Sequence, residues 1–245
     1  MLLRSITNHV KDQNWFAVFL DFFIVVVGVF VGIQAANWNA NMADQAQLEQ
    51  QLVSFRIELE NNQIHFATYK QELLEQMADV NYIREALDSN LDEIDAAKIE
   101  LKFLNIQRIK VFAPELTTLE ELAQSGGLRR LSGTHLRKAI ADWEYDLSEV
   151  KRGYTDGLNQ RNTVMNPFMM SNIAYGPVLE QSYIVGDKIK KSKFRNNMTE
   201  LAASRDFDNQ IAYRSGISGS TLYYLERLIQ ETNELIDLLK KNEAY

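Results

Sequence analysis

A chain of 245 residues, 46% hydrophobic and 24% charged, has a globular composition, and 3 Pro and 11 Gly leave long stretches free of helix breakers. The net charge of −7 argues against nucleic acid as a partner, because phosphate binding needs a clustered cationic face. With no Cys, the chain has no disulfides, thiolate nucleophiles or cysteine-ligated zinc.

The first predicted element is a membrane span. Residues 16–36 read FAVFLDFFIVVVGVFVGIQAA, about 31 Å as a helix against a hydrocarbon core of roughly 30 Å. Its Phe, Val, Leu and Ile residues contribute about −4 to −8 kcal/mol together on the insertion scale, which outweighs about 3 kcal/mol for one Asp. The segment is drawn at 16–37. Trp15 and Trp38 flank it as interfacial anchors. Arg4 and Lys11 precede it, and Arg56 is the first cation after it. The positive-inside rule therefore predicts a cytoplasmic N-terminus, residues 1–15, and an extracytoplasmic domain, residues 38–245. A cleaved signal peptide is the competing reading, but its apolar core would be shorter and free of Asp. Gly28, Gly32 and Ala36 share one face at steps of four and would let a second helix approach closely. Asp21 and Gln34 are the polar residues of the span. Asp21 is either functional or an aspartate reaching the headgroups.

A second pattern follows without a break, since no Gly or Pro falls between Gly32 and Pro114. Leu48, Leu52, Phe55, Leu59, Asn62, Phe66, Tyr69, Leu73, Gln76, Val80, Ile83 and Leu87 alternate steps of four and three. This 3.5-residue period predicts a long helix, continuous with the span, with a narrow seam for a partner helix. Asn62 and Gln76 either fix register inside the seam or turn to solvent.

Farther along, residues 91–104 predict a shorter helix and residues 106–112 an apolar connector. Thr117-Thr118-Leu119-Glu120 has the form of a capping box, and Gly126-Gly127 of a left-handed helix end. Ser132 is expected to cap a helix carrying Leu136, Ile140, Trp143, Leu147, Val150 and Tyr154, which Pro167 should stop. Residues 172–193 read as loop or broken helix, and residues 198–203 as a helical turn. The last helix carries Leu222, Leu225, Ile229, Thr232, Ile236 and Leu239, headed by Gly216 and Gly219 as a kink or a close-packing site. Three helices with matching seams can form an intramolecular bundle, the last antiparallel to the first. A homodimeric coiled coil is the alternative.

Residues 21–39, DFFIVVVGVFVGIQAANWN, resemble the opening of an uncharacterised family of bacterial single-span proteins. There an apolar helix ends in a Gln-x-x-Asn-Trp-Asn signature, matched here by Gln34, Asn37, Trp38 and Asn39. Residues 117–140 resemble its second block, through Ser125, Gly126 and Leu128. The two blocks cover less than a fifth of the chain. The resemblance implies a membrane protein of unknown function and supplies no catalytic residues.

No stretch carries a chemical signature. His9, His65 and His135 form no zinc or di-iron spacing, and no nucleotide-binding or nucleophile-elbow motif occurs. Glu120 with Glu121, and Asp92, Glu93 and Asp95, read as solvated helix faces. Lys188, Lys190, Lys191, Lys193 and Arg195 form one basic run, suited to anionic lipid or an acidic partner, or else a solvated loop.

The reading is an all-α protein: one transmembrane helix continuous with a long heptad helix, packed in an elongated periplasmic bundle at a bacterial inner membrane. It predicts a scaffold or accessory subunit that binds membrane lipid and another membrane protein or itself, without cofactor, metal or catalysis. A ligand sensor acting through a separate cytoplasmic partner is the alternative.

Overall fold

The computed structural model describes residues 15–89 and 95–243. Arg4, His9, Lys11, Asp92 and Glu93, and the expected start of the 91–104 helix, lie outside these residues. The side chains of Trp15 and Asp21 lie outside the description as well.

The fold is all-α, with no β-strand among the described residues. In chain order the helices are α1 (Trp15–Asp88), α2 (Ala96–Gln107), α3 (Thr117–Gln124), α4 (Gly127–Arg130), α5 (His135–Gln160), α6 (Asn166–Asn172), α7 (Tyr175–Glu180), α8 (Met198–Ala202) and α9 (Arg205–Glu243). A π-turn, Arg161–Met165, joins α5 to α6, and a 3₁₀ turn, Gly186–Lys188, follows α7. The chain divides into two units, residues 1–51 and 52–245, with the division inside α1.

In the first unit, the large apolar side chains from Phe19 to Ile33 are exposed. This is one helix long and apolar enough to cross a membrane.

The second unit is a packed bundle. Phe55, Leu59, Asn62, Phe66, Tyr69, Leu73, Val80 and Ile83 are buried, as the 3.5-residue seam predicts. Leu136, Ile140, Trp143, Leu147 and Val150 do the same for α5. α9 runs antiparallel to this part of α1: Glu60 meets Lys240, Lys70 meets Glu226, and Arg84 meets Asp208. α9 is also antiparallel to α5, with Trp143 opposite Thr232 and Gly157 opposite Arg214. The Trp143 ring meets Phe55 edge-on at 6.0 Å. Its indole nitrogen donates to Thr232 Oγ1 at 2.9 Å, which gives the one polar atom of the largest buried side chain a partner.

A second apolar cluster closes the end of the bundle near Val80 and Ile83. There α2, the π-turn, α6, α7, α8 and the start of α9 bring together Phe103, Met165, Met169, Val178 and Phe207.

Both polar positions of the α1 seam hold the extended connector between α2 and α3. Gln76 Nε2 donates to the Arg108 carbonyl at 2.5 Å. Asn62 donates to the Glu115 carbonyl at 2.7 Å and accepts from its N–H at 2.9 Å. Phe112 packs between them on Phe66 and Tyr69. Asn62 thus lies in the seam, and its amide replaces the partners that an extended backbone lacks.

Several local expectations are corrected. The N-cap of α3 is Leu116, with no side-chain cap. The Thr118 N–H is instead accepted by the buried Glu58 carboxylate of α1 at 2.8 Å, so a tertiary partner replaces the capping box. Thr134, not Ser132, caps α5 through the Arg137 N–H. Pro167 does not stop the helix. The π-turn widens the ladder, with the Asn166 N–H bonded to the Arg161 carbonyl, and Pro167 falls in the first turn of α6, where its missing N–H matters least. Gly126, at φ +78°, does adopt the left-handed conformation, but Gly127 opens α4. The second helix occupies Ala96–Gln107.

The buried stripe of α9 is Phe207, Ile211, Arg214, Ser218, Thr221, Leu225, Leu228, Thr232, Leu235 and Leu239. With Ile236, which is also buried, it shares Leu225, Thr232 and Leu239 with the predicted seam, has Thr221 and Leu228 in place of Leu222 and Ile229, and adds Leu235. Arg214, Ser218 and Thr221 are polar, so hydrophobic spacing alone could not show them.

Candidate functional site

Of the predicted span, residues 19, 20 and 22–37 are exposed. Nothing lies within 4 Å of the Cβ positions of Gly28 and Gly32, and Ala36, Gln34 and Trp38 are exposed on the same helix. Gly28, Gly32 and Ala36 thus form a small-residue strip on an exposed apolar helix.

A second pair of glycines at the same spacing is occupied. Gly153 and Gly157 lie on α5. A Cβ at Gly153 would sit 3.0 Å from Thr221 Cβ, and one at Gly157 would sit 3.1 Å from Arg214 Nη1. These glycines let α9 approach closely enough for Arg214 to reach backbone.

The basic run is exposed, and Lys188, Lys190, Lys191, Lys193 and Arg195 are brought onto one loop after α7. Tyr183, 84% exposed, and Phe194, 62% exposed, flank the cations. The loop is tied down at both ends. Glu180 Oε1 accepts the Ser192 N–H at 2.6 Å, and Asn196 bridges Glu100 at 2.9 Å to the Ala174 backbone. Burial pushes the Glu100 carboxyl above its ordinary range, and the Asn196 bond opposes that. The bond from Asn196 to Glu100 fixes the C-terminal end of the loop against α2.

His65 and His135 are exposed and separate. Among the described residues no group of His, Asp or Glu has the arrangement of a metal site.

Sequence reasoning missed two buried polar groups. In the first, Asp146 of α5 is fully buried beside Glu231 of α9, and Arg227 Nε lies 3.1 Å from Asp146 Oδ2. Burial pushes the Glu231 carboxyl up to about 7. The Asp146 carboxylate acts in the same direction, and Arg227 opposes both. Two acids on facing helices at matched depth were the available signal.

In the second, Arg214 of α9 is only 2% exposed. Its Nε donates to the Ile106 carbonyl at 2.9 Å and its Nη1 to the Gly157 carbonyl at 3.2 Å, while Nη2 has no protein partner. It lines a cavity of about 20 Å³ with Tyr69, Gln76, Tyr154, Ser218 and Thr221. Burial pulls the Arg214 guanidinium down to about 10 and pushes the Tyr69 phenol up to about 12. At neutral pH the arginine therefore remains a cation beside a neutral tyrosine.

Neither a protein-family model, nor a curated protein, nor a solved structure matches the chain.

Proposed function

We propose that this chain is a single-pass membrane scaffold or accessory subunit. Residues 1–15 are cytoplasmic, residues 16–37 cross a bacterial inner membrane, and residues 38–245 form a periplasmic helical domain. It binds a membrane-protein partner, or a second copy, through its span, and the helices of the domain extend that contact. One observation carries this reading: Gly28, Gly32 and Ala36 form a small-residue face on an apolar helix with no neighbour against it. The basic loop, with Tyr183 and Phe194, supports a second contact with an acidic protein surface.

The test has two arms. A protease-cleavable tag after Tyr245 should be cut from the periplasmic side, and carbonate washing should leave the protein in the membrane fraction. Replacing both Gly28 and Gly32 with Leu should abolish co-purification of the partner or second copy. A cytosolic tag, or unchanged co-purification, would overturn the reading.

The ligand-sensor reading draws on a different observation, the buried Arg214 cavity. A purified domain that changes its protease-cleavage pattern on binding a small molecule would favour it over the scaffold.

A further inference from the structure

We infer that the Arg214 cavity is a binding site for one small anion, either a halide or a single carboxylate group.

A guanidinium with 2% exposure has left water, and a buried charge is tolerated when it is paired and its donors are satisfied. Arg214 is only half satisfied. Its two bonds go to backbone carbonyls, which supply dipoles but no neutralising charge. The charged or ionisable neighbours that influence it are Tyr69 and Arg161, and neither is an anion at neutral pH. Nη2 remains a buried donor without a protein acceptor.

The one carboxylate lining the cavity, Glu72, is engaged elsewhere. Its Oε1 accepts from Lys110 Nζ at 3.0 Å, and that pair is partly exposed at the rim. Lys110 adds positive potential near the mouth, while Glu72 offsets it, so selection falls to the buried cation.

The donors left to the cavity are Arg214 Nη2 and the Tyr69 and Tyr154 hydroxyls. The other polar walls already donate within the protein: Ser218 to Gln76 Oε1 at 3.2 Å, Thr221 to the Ile217 carbonyl at 2.8 Å and Gln76 to the Arg108 carbonyl at 2.5 Å. A volume of about 20 Å³ holds one small species, so a nucleotide, sugar or phosphate ester is too large. The position is also built rather than incidental. Gly157 leaves the space through which Arg214 Nη1 reaches its carbonyl, and Gly153 admits Thr221 beside it. Three helices and the connector meet there, so an occupied site would bind α1, α5 and α9 together. The inference concerns the second unit alone and stands whether or not the first unit spans a membrane.

The experiment uses the full-length chain in detergent. Thermal unfolding is followed in sodium chloride, sodium formate and sodium gluconate at equal ionic strength, for wild type and Arg214→Gln. Chloride and formate should each raise the wild-type Tm saturably over gluconate. At a tenfold excess over the dissociation constant, the folded-to-unfolded ratio rises about elevenfold. Arg214→Gln should lose that difference. Equal responses of the two proteins, or no response in wild type, overturn the site.

If Arg214→Gln does not fold, wild type decides through the ³⁵Cl linewidth and its formate response. Broadening that bromide or formate reverses supports the site; broadening that neither reverses, or an unbroadened line without a formate-dependent rise in Tm, removes it. A response to chloride but not formate assigns a halide, and a response to formate but not chloride assigns a carboxylate.

Discussion

Two pairs of glycines, each spaced four apart, sit in two different surroundings. Gly153 and Gly157 are filled by Thr221 and Arg214 of α9, whereas Gly28 and Gly32 face nothing within 4 Å. The same spacing is finished in one unit and open in the other. In the packed unit the glycines serve a bundle core, where apolar burial draws helices together and small residues set how close they come. For the apolar unit, in the membrane proposed for it, hydrophobicity gives no reason for one helix to seek another inside lipid. There, close packing at small residues is the main attraction left.

The contrast can be tested from its strongest side first. Trp143→Ala removes the largest buried side chain, its edge contact with Phe55 and its bond to Thr232. The expected loss is about 3–5 kcal/mol, read as a lowered denaturation midpoint. A loss under about 1 kcal/mol would mean that α5 is not a core helix. Gly153→Ala is smaller in volume but meets Thr221, a branched side chain with few ways to move aside. It should cost about 1–3 kcal/mol by forcing α9 away. Gly28→Ala, the matched change in the open pair, should leave the same midpoint within about 0.5 kcal/mol.

Next comes the dependence on pH. Glu231 titrates at about 7 in the folded chain, against an ordinary value of 4.5. Between these values the folded state holds a proton that the unfolded state releases. Stability from this group is therefore complete below about 4.5 and is lost as pH rises through about 7. Partial exposure screens the effect, so a loss of about 1–2 kcal/mol is expected across the window. Glu231→Gln should flatten that slope and raise stability at neutral pH, as urea titrations at several pH values would read. An unchanged slope would remove Glu231 as its source.

How much of this was legible depends on what held each element in place. The seams of α1 and α5 were readable because apolar side chains repeat every 3.5 residues along a buried face. The upper half of α9 was not, since Arg214, Ser218 and Thr221 occupy buried positions with side chains that usually face water. Their acceptability depends on Gly157, Ile106 and Gln76, from three other elements, and no local pattern encodes that. The capping box at Thr117 failed for a related reason, because Glu58, sixty residues away from Thr118, takes the amide that a local side chain was expected to take. The basic run was plain from sequence, but its tethering through Ser192 and Asn196 was not, since those bonds link positions 12 and 96 residues apart.

The smallest stability effect is expected where the largest functional effect is proposed. The double change of Gly28 and Gly32 to Leu places bulk on a face that touches nothing in the isolated chain. Leucine is the better helix former, so α1 should persist, and the unfolding midpoint of the second unit should shift by less than about 0.5 kcal/mol. If the glycine face seats another helix, bulky side chains hold the two backbones apart, and association should fall at least tenfold, about 1.4 kcal/mol. The two readouts, denaturation of the second unit and fluorescence transfer between labelled chains or chain and partner in vesicles, then separate. A lowered midpoint would show that the open pair is coupled to the packed bundle after all. Undiminished transfer would show that the glycines are not where helices meet.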